Sequence, residues 1–161
     1  MAIIEISAQG IRELDRTTFA RESLRERDDL QQYLKKSIDT ISPDTVIIAE
    51  EYGSWAGSLR RIDLLGLDAE CNLVVIELKR TEDGGHMELQ AIRYAAMVSS
   101  LTFDDVVSER RAYLQKNGLE STDVEAELLE FLGLDEPPAL SESVRIVLAA
   151  ADFSKELVRT V

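Results

Sequence analysis

The chain has 161 residues, 45% hydrophobic and 30% charged, which suffices for one domain with a core of its own. It lacks any run of about 18 apolar residues, and the opening MAIIEISAQGIREL has neither a basic leader nor a long apolar segment, so secretion and membrane insertion lack support and the expectation is a cytoplasmic protein. One cysteine, Cys71, and one histidine, His86, exclude an internal disulfide and a Cys/His zinc site built without other chains, while 31 acidic against 18 basic residues give a net charge of −13 that favours solubility and opposes a strong grip on DNA.

In chain order, Leu24, Leu30, Leu34, Ile38 and Ile41 recur at helical intervals and predict an amphipathic helix from about Arg21 to Ile41. Ser42-Pro43-Asp44 breaks it, and TVIIAEEY reads as a buried strand rich in β-branched residues, with Glu50 and Glu51 at its end. After the glycine-bearing GSWAGS, the segments RRIDLLGLD and NLVVIELKR read as two strands joined by a polar turn. RTEDGGH has loop composition, and MELQAIRYAAMVSSL is a helix that is apolar on more than one side. Thr102 or Asp104 caps a further helix reaching about Gly118, and Thr122 with Glu125 forms a capping box for a short one ending near Gly133. VRIVLAAA is the last strand, and Asp152 or Ser154 caps a helix that has only begun when the sequence ends, which suggests an additional C-terminal region. The order predicts an α/β sandwich, a mixed central sheet flanked by helices, in a single domain over 1–161.

The hairpin carries the chemistry. A three- or five-residue connection centred on Glu70 sets Leu67 against Leu73 and Asp63 against Glu77, whose Cβ atoms would then lie about 4.5–5.5 Å apart. Alternation puts Lys79 on the face of Glu77, whereas an even-numbered connection would turn Asp63 away. Two carboxylates side by side call for a cation or a shared proton, and Mg²⁺ (or Mn²⁺) suits them as a hard ion that takes carboxylates, waters and phosphate oxygens. With Lys79 to orient a water or to stabilise developing charge, the constellation suits phosphodiester hydrolysis.

Asp63 followed by Glu77-Leu78-Lys79 resembles the signature of the PD-(D/E)xK nuclease superfamily, with Ile62-Asp63 in place of its proline and aspartate. Gln90-Ala-Ile-Arg-Tyr94 matches the QxxxY element of RecB-like members, and the run from RRIDLLGLD to ELQAIRYAAMV is similar to the NucS-like endonuclease domain family, over roughly Glu26 to Ser100. The resemblance implies a restriction-endonuclease-like fold, a metal-dependent deoxyribonuclease acting in repair or defence, Gln90 beside the catalytic triad, and a metal held by Asp63, Glu77 and the Leu78 backbone carbonyl. It also implies a further acid on the first helix, for which Glu26 matches. Glu50 and Glu51 precede the catalytic strand; one of them, Glu50 before Glu51, could serve instead, although a hydrophilic strand end is the reading preferred for both.

Gln90 and Tyr94, one helical turn apart, share a face on which an amide and a phenol can reach substrate backbone together; Arg93 points elsewhere. Arg60, Arg61 and Arg80 flank the triad as candidate phosphate contacts, and Trp55 either stacks on a base or covers the core. Cys71 and His86 fall in predicted loops and receive no role. The partner expected is DNA, without a membrane, and a homodimer stays open. Two other readings compete: a nuclease-fold binding module with weak or lost cleavage, and an acidic DNA mimic.

Overall fold

The computed structural model describes residues 2–25, 29–53, 61–79, 87–119 and 121–160. Near the N-terminus, β1 (Ile3–Ser7) and β2 (Gly10–Leu14) pair as an antiparallel hairpin, with Gly10 at φ 126, a backbone conformation that disfavours side chains. This hairpin was not among the expected elements. Its isoleucines Ile3, Ile4, Ile6 and Ile11 all remain more than half exposed, so neither face has the burial that marks a core strand.

The helix expected from Arg21 to Ile41 is much shorter: α1 covers Gln31–Lys36, and a 3-10 turn follows at Ile38–Thr40. Side chains upstream hold the backbone in other conformations. Thr18 Oγ1 accepts from the Arg21 amide at 3.1 Å, Ser23 stands at φ 57, and Asp29 Oδ2 accepts from the Arg25 amide at 2.7 Å. Such local bonds compete with helical ones. Leu34, Ile38 and Ile41 still pack on the core, so the apolar spacing was read correctly while the helix limits were not.

The core is a four-stranded mixed sheet in the order β3-β4-β5-β6, made of β3 (Thr45–Tyr52), β4 (Ile62–Asp68), β5 (Leu73–Lys79) and β6 (Val144–Ala150). The first three strands are antiparallel neighbours, and β6 joins β5 in parallel. Between them run α2 (Met87–Val98), packed on β5 and β6, α3 (Phe103–Lys116), packed on β3, and α4 (Val124–Leu132), packed on α3. Cover by helices explains why β4 is buried along its whole length and β5 up to Leu78, and why both read as nearly continuous apolar runs. A Cβ on Gly66 would lie 2.6 Å from Thr45 Cγ2, so this position on β4 admits no side chain.

Helix ends follow their capping residues. Thr102 caps α3, its hydroxyl accepting from the Asp105 amide while Asp105 accepts from the Thr102 amide. Asp123, not the expected Thr122, caps α4 by accepting from the Ala126 amide at 3.1 Å, and Gly133 ends that helix at φ 66. Ser154 accepts from the Leu157 amide at 3.2 Å at the start of α5 (Lys155–Thr160).

The β4–β5 turn is built around Asp68. Its fully buried carboxylate accepts from the backbone amides of Glu70 (3.1 Å) and Asn72 (2.9 Å), from the Asn72 side chain, and from Arg145 Nη1 on β6 at 3.0 Å. Burial would raise its pKa, but these donors together hold it below the usual carboxylate range. The turn fixes the register at Leu67↔Leu73, as expected from sequence, and that register decides which residues share a face. Asp68→Ala is therefore expected to destabilise the protein by about 2–4 kcal/mol, since it leaves two turn amides and Arg145 without their acceptor. Urea denaturation of the two proteins measures this, and a change below about 0.5 kcal/mol, within the range of ordinary surface substitutions, would mean the turn holds without Asp68.

Candidate active site

Pairing of β4 with β5 runs from Leu67↔Leu73 to Leu64↔Ile76. Beyond that point β4 stays with β3 through Tyr52↔Ile62, and β5 stays with β6 through Lys79↔Ala150. The sheet thus splays between its two middle strands, and Asp63 and Glu77 flank the opening, one step past the last pair. Opposed residues share a face, so Leu64 and Ile76 lie on one side of the sheet and Asp63, Glu77 and Lys79 on the other.

Asp63 does more than line the opening. Its Oδ2 accepts from the Leu78 amide at 2.8 Å, taking up a backbone donor at the level where the ladder between the strands has ended. The N–H and C=O of one strand residue face the same neighbouring strand, so the Leu78 carbonyl is directed toward the same opening. Asp63 is 8% exposed and Glu77 fully buried, with both carboxylate oxygens of Glu77 shielded from solvent. Lys79 is only partly buried, at the solvent end of the group.

A β-bulge decides which glutamate of β3 stands beside Asp63. Before it Ile47 pairs with Gly66, a register that would carry Glu50 to the level of Asp63; after the shift between Ile47 and Ala49, Glu50 pairs with Leu64 and Glu51 takes that level. Glu50 therefore shares the face of Leu64, where its carboxylate is held by Lys35 of α1 at 2.6 Å and Lys116 of α3 at 3.1 Å. Lys35 also donates to Asn117 Oδ1 at 2.8 Å and lies 5.7 Å from the centre of the Tyr113 ring. Glu50 thus anchors an ion-pair cluster between helices and sheet, on the face of the sheet opposite to Asp63 and Glu77. Glu51, at φ 51, holds a backbone conformation unusual for a residue with a side chain. Among the described residues, no three His, Cys, Asp or Glu side chains gather closely enough to hold a metal ion by themselves.

The Glu50 cluster makes stability depend on pH. Burial raises the Glu50 pKa, the hydrogen bonds and charges of Lys35 and Lys116 lower it, and the net direction is down. A carboxylate whose folded pKa lies below its unfolded value adds stability at pH above the unfolded value, and that stability is lost as pH falls through the folded one. Glu50→Gln is accordingly expected to lower Tm at neutral pH, with the gap to the parent closing as pH drops below the ordinary glutamate range. Thermal melts across that range check it, and a gap that stays constant with pH would show that the charge on Glu50 adds nothing.

On α2, Gln90 Nε2 donates to Tyr94 Oη at 3.1 Å; Tyr94 is buried and Arg93 is exposed. The pair is thus assembled within the helix that packs on β5, the strand of Glu77 and Lys79. Arg61 is exposed directly before β4. Glu26, Trp55, Arg60, Arg80 and His86 lie outside the described residues. Cys71 sits in the β4–β5 turn, where burial and then the nearby Asp68 carboxylate push its thiol pKa up, so it is a poor nucleophile.

One residue of this neighbourhood went unread in the sequence. Gln31 of α1 is 3% exposed, and its Nε2 donates to the backbone carbonyl of Asp63 at 3.1 Å. Its spacing to Leu34 and Ile38, positions on the apolar stripe, was the available signal: a polar side chain on a buried stripe has a partner to find.

No known protein-family model matches the chain, and neither does any curated protein. It is similar to a chain in the solved structure of an EndoMS–dsDNA complex, with 21% identity and a TM-score of 0.35, the match covering 79% of this chain and 48% of that one. The present chain thus spans about half the length of that relative. No helix among the described residues is long and apolar enough to cross a membrane.

Proposed function

We propose that this protein is a metal-dependent DNA endonuclease of the PD-(D/E)xK type, acting in the cytoplasm in DNA repair or defence. The observation that carries the reading is the pair of buried carboxylates, Asp63 and Glu77, flanking the point where the middle strands of the sheet part, with Lys79 following on the same face. Two carboxylates on the same face at neighbouring positions of adjacent strands repel each other, and a divalent cation between them would relieve that repulsion.

The donor set fits Mg²⁺ or Mn²⁺: carboxylate oxygens from Asp63 and Glu77 and the carbonyl of Leu78, with Glu26 as the proposed further acid. A hard ion of this kind keeps several waters, so it does not require a cage of three acids. When bound, it supplies Lewis-acid polarisation of the phosphate and a more acidic water. The chain's own groups do the rest. Asp63 holds its orientation through the Leu78 amide; Lys79 stabilises the negative charge that develops on the phosphate; Gln90 and Tyr94, already joined, orient the substrate backbone. Arg60, Arg61 and Arg80 are assigned to phosphates. With a net charge of −13, part of the grip on DNA is assigned to a further region of the same protein or to a second copy of the chain.

A nicking assay with Mg²⁺ and with Mn²⁺ on single-stranded, duplex, mismatched and branched DNA tests the proposal. Cleavage of at least one substrate that stops on chelation is expected. Binding without cleavage in either metal would instead make this a nuclease-fold binding module.

A further inference from the structure

The negative charge of the chain is unevenly placed. Between Lys116 and Arg145 the sequence has eight acidic residues and no lysine, arginine or histidine, so this stretch supplies eight of the thirteen net charges. On α4 and in the loop after it, the acids from Asp123 to Glu136 are exposed, and none of them forms a salt bridge among the described residues. Asp123 and Glu127 accept from neutral donors, the Ala126 amide at 3.1 Å and the Ser121 hydroxyl at 2.7 Å. Arg110, the cation whose charge Glu127 influences, donates instead to the Ile47 carbonyl at 2.5 Å.

The same surface is not purely polar. Val124 and Leu128 of α4 are buried, whereas Asp123, Ala126, Glu127, Glu130 and Phe131 recur at helical intervals on the outer side. Phe131 is 36% exposed, and Leu134, directly after the Gly133 cap, is 40% exposed. An aromatic side chain one turn from Glu127 and beside Glu130 has the make-up of a protein–protein patch, apolar at its centre and charged at its rim. The charge then selects the occupant. Phosphates of a nucleic acid, an anionic lipid surface and a second copy of a chain at −13 all bring like charge to these carboxylates. A polypeptide rich in lysine and arginine neutralises them and can set an apolar side chain on Phe131.

We propose that the outer face of α4, continued through Leu134, docks a basic polypeptide segment that carries an apolar residue among its lysines or arginines. α4 takes its packing from α3, so this stands apart from the metal chemistry assigned to Asp63 and Glu77. Fluorescence anisotropy of a labelled peptide of lysine and leucine, titrated with the full chain, provides the test. The parent is compared with Glu127→Lys/Glu130→Lys, with Phe131→Ala, and with Glu13→Lys/Asp15→Lys, which changes the net charge by the same amount outside α4. The α4 charge reversal and Phe131→Ala are each expected to weaken binding about 10-fold or more, the scale for losing a main contact of an interface. Glu13→Lys/Asp15→Lys should bind as the parent does, and a peptide of lysine alone should bind more weakly than the mixed one. Equal weakening by the two charge reversals would mean attraction to the acidic chain as a whole and overturns the proposal. Unchanged affinity in Phe131→Ala would remove the apolar centre and overturns it too, as would a parent that does not bind the mixed peptide at low salt. Thermal melts establish that each variant folds, and if Phe131→Ala does not, Leu134→Ala decides on the same criterion.

Discussion

Lys79→Met is expected to bind divalent metal and DNA as the parent does and to cleave in single turnover about 10²-fold or more slowly, the scale for removing a positioned electrostatic or proton-transfer group. Lys79 stands two residues beyond Glu77 on the same face of β5, next to Ala150 of β6, and is less buried than either carboxylate. An ammonium at the solvent end of a buried acidic pair cannot be a ligand to a cation while protonated, and on the proposed reading its role is toward the phosphate. Methionine preserves the length and apolar stem of the side chain, so a defect confined to the chemical step isolates the charge. Lys79→Arg should restore little, because a planar guanidinium is bulkier and does not give up its proton. Single-turnover rates at saturating metal and DNA measure the effect. If Lys79→Met cuts as fast as the parent, the residue is a bystander and the proposed chemistry does not hold in this form.

The carboxylates should fail differently. Asp63→Asn and Glu77→Gln are expected to fold and to lose divalent-metal binding at this site, and with it detectable cleavage. Asparagine is the more informative replacement at Asp63, because its amide oxygen can still accept from the Leu78 amide while its charge is gone. Asp63→Ala adds a second defect: it leaves that amide without its acceptor, at a cost of about 1–3 kcal/mol. Comparing the two variants separates the structural bond from the metal role. In the parent, Mg²⁺ or Mn²⁺ at a hundredfold excess over Kd should stabilise the fold by about 2.7 kcal/mol, and neither charge-removing variant should gain this. Unchanged Mn²⁺ affinity in Asp63→Asn and Glu77→Gln would refute the assignment, whatever happened to cleavage.

Much of the frame was legible before any coordinates. β3, β5 and β6 are rich in β-branched residues and β4 in leucine, and β4 and β5 read as nearly continuous apolar runs because helices cover the middle of the sheet. The hairpin register was also legible, since the residues from Asp68 to Asn72 allow the connection that sets Leu67 against Leu73, and alternation then puts Asp63, Glu77 and Lys79 on one face. The helix from Arg21 was overextended because periodicity reports which face is buried, whereas side chains such as Thr18 and Asp29 decide where the backbone is free to be helical. Only the tertiary structure could show that Glu50 belongs to Lys35 and Lys116, because the β3 bulge shifts the register by one residue and no composition marks where it falls. The same holds for the splay between β4 and β5 and for the contact of Gln31 with Asp63, which joins residues far apart in the chain. Sequence by itself determined the strands, their alternation and the acids they carry, because these depend on neighbours along the chain. Where the sheet opens, and which side chains close around Asp63, depends on how distant elements divide the buried hydrogen-bonding groups among themselves, and that is settled only when they pack.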